Sequence, residues 1–393
     1  MSIRTSVGQS LLEDAFAAGR AAASEALREL QDRRADLFLV FGTTGYDQEA
    51  LLAGVRAADE SARIVGCSGE GIISPGQSCE DEYVVAVLAF QSDTLSIDAH
   101  LIEGYAQDPI ACAEELARRV GSEPTVGVIV LPDGLAGECS DFLARLSALL
   151  PGHTVVGGTA ADSMSFAKTY QYLGTRAASG AVAALVLRGE GRLVSMVSHG
   201  CTPIGRARRL TRAEGSWVYE IDGQPAWSVF KEYLDGDPDD LNADGMVHLC
   251  LGTYLDDSTD SKTFITRTAM ALQKETGALF FPGGGLTTGQ RVHFTRRDLD
   301  QVRLGAQSCA RELMEAGPGE RPAAILQFDC AGRGRIVFGA AAEGEVIQPM
   351  QEEVGSGVPW LGFRTYGEIA PIAGRPRFHN YTVALCALYD RAA

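Results

Sequence analysis

One order of elements recurs three times along this chain: an apolar strand, a helix, a second strand closing in a glycine-rich turn, and a last apolar strand. The first copy reads "DLFLVFGTTG", "DQEALLAGVRAADE", "RIVGCSGEG" and "EDEYVVAVLAF". The second reads "TVGVIVLPDG", "CSDFLARLSALL", "HTVVGGTAAD" and "GAVAALVLRG", and the third "PAAILQFDCAGRG", "EVIQPMQEEVG", "PWLGFRTYGEIAP" and "HNYTVALCALY". Apolar runs of strand length between turn residues mark buried strands, and the helical patterns between them place helices against the sheets. The expected fold class is therefore α/β, with duplicated strand–helix–strand units forming mixed β-sheets flanked by helices. The turns differ in detail. The third has two extra residues between Gly362 and Gly367, and the second carries Asp162 one step later than Glu70 and Glu368 stand in the others.

At 393 residues the chain exceeds the size at which one hydrophobic core usually keeps growing, so two domains are expected. The acidic "DGDPDDLNADG" at 235–245 reads as the linker, dividing residues 1–234 from 246–393. Residues 9–30 carry an Ala-rich helical pattern with Leu12, Phe16, Ala23 and Leu27 near one face, and Asp47 is placed to N-cap the next helix. Residues 192–233 depart from the repeat: "RLTRAEGSWVYEIDGQPAW" alternates like a hairpin around Asp222-Gly223. "MVHLCLGTYL", "KTFITRTAMAL" and "GALFFPGGGLTTGQRVHF" then read as strands, and Asp298 as the N-cap of "DLDQVRLGAQSCARELMEAG".

Several function classes are excluded. A formal net charge of -17 repels phosphate backbones and anionic lipid, so neither nucleic acid nor a membrane surface is an expected partner. The longest apolar runs, "YVVAVLAF" and "AVAALVL", are strand-sized and too short to span a bilayer. Glu13, Asp14, Glu25 and Glu29 interrupt the N-terminal segment, which argues against a secretory or transit leader and for a cytoplasmic location. Nine cysteines without a CxxC pair give neither a disulfide framework nor a structural zinc site. P-loop, HExxH and EF-hand patterns are missing, and "GCSGEG" does not open a helix as a dinucleotide fingerprint does.

The chemistry-bearing residues cluster at the turns. Glu70 and Glu368 each follow a glycine turn, where a carboxylate either accepts backbone N–H bonds and fixes the loop or grips a cationic ligand group. Arg364 and Tyr366 add a positive charge and an aromatic face, a set able to hold a small zwitterion such as an amino acid. The expected binding site gathers Cys330, Arg333, Arg364, Tyr366, Glu368 and Asn380, with Ser68 and Glu70 from the first copy. Cys330 is also a candidate nucleophile, since two arginines follow it closely. Among six histidines, His199 and His379 are the two to test as axial ligands if haem is the cofactor.

The ordered series "DAFAAGRAAASEAL", "DLFLVFGTTGYDQEALL", "RIVGCSGEGII", "VVGGTAAD", "HGCTPIG", "LTRAEGSWVYEIDGQPAW", "ITRTAMAL", "FDCAGRG", "WLGFRTYGEIAP" and "FHNYT" resembles the FIST family, with its N-terminal and C-terminal domains in tandem. The resemblance runs from about residue 10 to 385. It implies a non-enzymatic, sensory input protein of signal transduction that binds a small ligand such as an amino acid. An alternative it carries is a haem-binding nitric oxide sensor, and the implied partners are a histidine kinase or a cyclic-di-nucleotide enzyme. The family's turn residues fall on Gly66, Ser68, Gly69 and Glu70 and on Gly362, Tyr366, Gly367 and Glu368, and its Cys-Ala-Gly-Arg motif on Cys330, Gly332 and Arg333. "PGGGLTTGQRVHF" stands where an acidic residue and a glycine are expected before the strand.

Overall fold

The computed structural model describes residues 3–242, 245–254, 264–317 and 319–390. Copy one comprises β1 (Ile3–Ser10), α1 (Ala15–Ala26), β2 (Leu37–Gly42), α2 (Gln48–Arg56), β3 (Arg63–Ser68), the hairpin β4 (Ile72–Ser74) and β5 (Gln77–Cys79), and β6 (Val85–Ser92). Copy two repeats this order. Its elements are β7 (Leu95–Glu103), α3 (Pro109–Val120), β8 (Gly127–Pro132), α4 (Cys139–Leu149), β9 (Val155–Gly158), the hairpin β10 (Gln171–Leu173) and β11 (Arg176–Ala178), and β12 (Ala181–Gly189).

Copy three opens with β13 (Gly191–Ser198) and is then interrupted by an insertion. That insertion holds β14 (Cys201–Glu214), β15 (Trp217–Ile221), β16 (Gln224–Pro225), α5 (Ala226–Lys231), β17 (Leu249–Tyr254), β18 (Phe264–Arg267), β19 (Ala271–Gln273), β20 (Ala278–Phe280) and β21 (Arg291–Arg297). The copy resumes with α6 (Leu299–Glu315), β22 (Ala324–Cys330), α7 (Arg335–Phe338), α8 (Gln348–Val354), β23 (Trp360–Thr365), the hairpin β24 (Glu368–Ile372) and β25 (Arg375–His379), and β26 (Val383–Asp390).

Each copy builds four strands of a six-stranded sheet in the same way. In copy one β2 lies parallel to β3 and antiparallel to β6, which also pairs with β1. The equivalent pairings recur in copies two and three. The last two strands of each six-stranded sheet are borrowed. The hairpin of copy one docks on β23 of copy three, that of copy two on β3, and that of copy three on β9, so the copies are linked in a ring.

Strand alternation divides the apolar runs between two cores. Leu37, Leu39 and Phe41 of β2 point into a central core shared by all three sheets, while Phe38 and Val40 pack beneath α1 and α2. In β8, Ile129 and Leu131 enter the same central core and Val128 and Val130 face α3 and α4. One glycine in each second strand lets the parallel pair close. A Cβ on Gly66 would stand 1.8 Å from the Val40 carbonyl oxygen, one on Gly157 1.9 Å from that of Val130, and one on Gly362 2.4 Å from that of Gln327.

The N-terminal helix is shorter than its sequence pattern suggests, and residues 3–10 form a strand. Leu12 and Phe16 are exposed, and the buried face consists of Ala18, Gly19, Ala22, Ala23 and Ala26. Small residues are needed because α1 crosses α2 closely: a Cβ on Gly19 would meet the Leu51 carbonyl oxygen at 2.1 Å. Asp47 and Asp298 cap their helices by accepting from the Ala50 and Gln301 N–H groups at 3.0 and 2.9 Å.

The insertion has its own sheet and its own core, with Leu210, Val218, Trp227, Phe230, Leu279 and Phe294 at the centre. Asp222 and Gly223, both at positive φ, form the turn between β15 and β16, whereas the β14–β15 hairpin turns at Gly215-Ser216. Strands on either side of residues 235–245 pair with each other, β14 with β21 and β15 with β20. The expected linker therefore falls between strands of one sheet and does not divide two separate domains. Residues 1–234 and 246–393 are interleaved, since β13 also pairs with β26 and β4 with β23. Among the described residues no helix is long and apolar enough to cross a membrane.

Candidate functional site

The three glycine turns meet at the point where the copies join. Ala161 N–H donates to the Ser68 carbonyl at 3.1 Å, Thr159 N–H to that of Gly367 at 2.8 Å, and Glu70 N–H to that of Arg364 at 2.9 Å, so the turns bond in a ring. The Ser68 hydroxyl donates to the Ala161 carbonyl at 2.8 Å and accepts from Tyr170 N–H at 2.9 Å. It is thus a clamp between copies one and two.

Tyr366 draws on all three copies. Its hydroxyl donates to Asp162 at 2.6 Å and lies 3.4 Å from Glu70. Asp162 in turn accepts from the backbone of Phe166, Ala167 and Lys168, and so shapes the loop that follows it. Its displacement by one residue from the glutamate position was visible in the sequence. The role of that displacement was not, because its partner Tyr366 is 204 residues away. Glu70 accepts from Met164 N–H at 2.6 Å.

Burial, with Glu80 and Asp162 adding like charge, pushes the Glu70 carboxyl up from 4.5 to about 7. Its folded value exceeds its unfolded one, so the stability it contributes is complete below about pH 4.5 and is lost as pH rises through about 7. Glu70→Gln is expected to flatten stability across that window and to gain on the order of 2 kcal/mol over the parent at pH 8. Urea unfolding at pH 5 and pH 8 measures this. An equal difference between parent and variant at both pH values would contradict it.

Glu368 is wholly buried, accepts from the Thr365 hydroxyl at 2.6 Å and from Thr382 N–H at 3.1 Å, and is pushed well up by burial. It fixes the loop. Arg333 and Arg364 are likewise buried. Asp329 lies 2.9 Å from the Nε of the first and 3.2 Å from the Nη1 of the second, and Glu80 lies 3.4 Å from Arg364 Nε. Asp329 and Glu80 pair with the two arginines, whose Arg333 Nη1 and Nη2 are buried without a hydrogen-bond partner among the described residues, and none of Arg333, Arg364 and Glu368 lines the cavity that Cys330, Tyr366 and Asn380 border.

A cavity of about 490 Å³ opens where copies two and three meet the inserted sheet. Gly134, Leu135 and Gly137 come from the loop after β8, Met164 and Phe166 from the Asp162 loop, and Cys330, Ala331 and Gly332 from the end of β22. Thr365, Tyr366, Asn380 and Tyr381 form its floor. The insertion supplies the opposite wall with Leu241, Met246, Val247, Thr268 to Ala271, Phe280, Pro282 and Gly283. Thus Cys330, Tyr366 and Asn380 are brought together, Glu70 stands behind Tyr366 and Met164, Ser68 is held against Ala161 and Tyr170, and Pro282-Gly283 occupy the wall where an acidic residue was expected.

Two arginines that the sequence reading passed over fasten the insertion to the core. Buried Arg267 donates to the carbonyls of Gly284 at 3.2 Å and of Phe378, with Ser140 Oγ at 3.3 Å. Arg297 donates to the carbonyls of Gly332 and Val247 and lies 4.0 Å from the centre of the Tyr381 ring. A single arginine within a strand carries no sequence signal of such a role.

Neither selected histidine lines the cavity. His379 is buried with Nε2 3.2 Å from the Ala370 carbonyl, and burial pushes it down to about 3. His199 Nδ1 accepts from Cys201 N–H at 3.0 Å, its ring packs on Phe264, and burial pushes it down to about 4. With no imidazole among the described lining residues, the cavity does not fit haem held through histidine. Cys330 faces the cavity, yet burial and the neighbouring Glu368 push its thiol far up, so it is held protonated. Iodoacetamide at neutral pH is expected to leave Cys330 unmodified in the folded protein and to modify it after unfolding, as peptide mass mapping reads directly.

A ring of three α/β copies, with an inserted sheet closing a cavity of small-molecule size, defines a repeat-built protein with a candidate site at a copy boundary. The chain matches the FIST N domain over residues 36–224 and the FIST C domain over residues 226–371. It belongs to the FIST family, whose domains are associated with sensing of small ligands in signal transduction. An uncharacterized protein of Mycobacterium tuberculosis is 29% identical over 99% of this chain and 100% of its own length. One from Mycobacterium bovis is 28% identical over 99% of each. Of solved structures, a cyanuric acid hydrolase from A. caulinodans matches 48% of this chain and 71% of its own at 11% identity, with a TM-score of 0.25, too slight to indicate a common fold or activity.

Proposed function

We propose that this chain is a cytoplasmic, non-catalytic sensory input protein that binds a small molecule in the cavity between its core and its inserted sheet. Occupancy would be passed to a histidine kinase or a cyclic-di-nucleotide enzyme. The observation that carries the reading is the position of the cavity: a ligand there touches copy two, copy three and the insertion at once. Such a ligand shifts their packing only through unequal affinity for two arrangements, and the seam held by Arg267 and Arg297 is where arrangements can differ. The reading as a cysteine-nucleophile enzyme has less support, because the Cys330 thiol is held protonated and no imidazole among the described lining residues stands ready as a base.

Native mass spectrometry of purified protein, alongside Ala271→Trp, tests the assignment. Ala271 is exposed at the rim of the cavity, where an indole fills space without disturbing the core. A bound small mass lost in Ala271→Trp supports the site, and one retained there places the ligand elsewhere.

A further inference from the structure

The cavity also says what kind of molecule it takes. None of its described lining residues is charged, so a free amino acid would leave water for a site that answers neither its ammonium nor its carboxylate. Burying such groups unpaired costs several kcal/mol each. Arg333, Arg364 and Glu368, the residues suited to a zwitterion, are turned away and paired or bonded elsewhere.

The wall has the opposite character. Three of the chain's seven methionines, Met164, Met246 and Met270, line it, and flexible thioethers adapt to varied apolar shapes. Phe166 stacks on Tyr366 with centroids 5.1 Å apart, offering a flat aromatic edge. Five of the eleven exposed large apolar side chains among the described residues surround this opening: Leu135, Phe166, Val247, Met270 and Ile336. At the floor the Asn380 amide makes, among the described residues, long bonds, 3.4 Å from Thr268 N–H and 3.5 Å to the Tyr366 carbonyl, which leaves it able to exchange them for a ligand group.

Backbone strain gathers at the same place. Met164, Phe166 and Tyr381 have φ of 55°, 49° and 55°, a region unfavourable to side chains with a Cβ, and all three line the cavity. Strained conformations persist where the surroundings impose them, and they concentrate at ligand sites.

From these features we infer that the ligand is an uncharged, largely apolar molecule with an aromatic or comparably flat body and one hydrogen-bonding group directed at Asn380. This rests on the cavity being the sensory site, and the test separates the two statements. The full-length protein is titrated with N-phenyl-1-naphthylamine, a neutral fluorescent probe, and competed with indole and with L-tryptophan, which share a ring system and differ in charge. Hydrogen exchange at residues 164–166 and 268–271 reports where each compound binds.

Saturable one-to-one probe binding is expected, with displacement by indole and not by tryptophan, and with slowed exchange in both segments. Met270→Glu, at an exposed rim position that tolerates charge, is expected to weaken probe binding tenfold or more. Displacement and protection by tryptophan but not by indole would overturn the ligand class and leave the site standing. Probe binding that protects other segments and is indifferent to Met270→Glu would overturn the site. No saturable binding up to the solubility limit of the neutral compounds would overturn the inference of an apolar ligand.

Discussion

Asp329→Ala is expected to destabilise the protein by about 3–5 kcal/mol, the usual consequence of removing one partner from a buried ion network. Asp329 is wholly buried, and one of its oxygens lies within 3.2 Å of both Arg333 and Arg364, while Gln327 donates to the other at 2.8 Å. Without it two guanidinium groups remain in the interior with Glu80 as the remaining anion, 3.4 Å from Arg364. Asp329→Asn keeps the shape and some hydrogen bonding but not the charge, so it is expected to fall between the parent and the alanine variant. Urea unfolding followed by circular dichroism measures both. A loss below about 1 kcal/mol for Asp329→Ala, the range of exposed pairs, would show that the network contributes little.

The second large effect concerns backbone. Gly66→Ala, Gly157→Ala and Gly362→Ala should each lower stability by about 3 kcal/mol, at the upper end of overpacking costs. In every case the added methyl meets a main-chain carbonyl of the neighbouring parallel strand, which cannot swing aside as a side chain can. Gly157 has the further penalty of a φ of 150°. Thermal unfolding of the three variants is the measurement. Three similar losses would mark the positions as equivalent across the copies, and an unaffected variant would show that its strand pair separates without cost.

Much of this arrangement was legible in the residues. The Val/Ile/Leu runs of β2, β8 and β22, each followed by a helix and a glycine turn, announced three copies. β1 escaped because "IRTSVGQS" is half polar, and its pairing with β6 lies some 80 residues along the chain. The exchanged hairpins escaped because strands of three to five residues pair with partners about a hundred residues or more away, and no local pattern records that.

The lining of the cavity was legible in part for a related reason. The turn motifs led to Tyr366, Cys330 and Asn380, which do line the cavity. Alternation along β23, however, sends Phe363 into the central core and Arg364 to the opposite face, where it meets Asp329. The remaining wall is built from Met164, Phe166, Thr268, Phe280 and Pro282, residue types that announce no chemistry. Only folding brings them to one place.

The ring of borrowed hairpins bears on how the molecule comes off the ribosome. Residues 72–79 emerge early, yet the strand they must join spans 360–365, and the open edge of β9 waits for residues 368–372. Domains commonly fold in order as they are synthesised. Here the first two copies emerge with an undocked hairpin or an unfilled edge until residues 360–372 are made. Truncation before residue 360 would therefore leave exposed strand edges rather than a smaller working protein, and a nascent chain stalled there would be a ready substrate for chaperones.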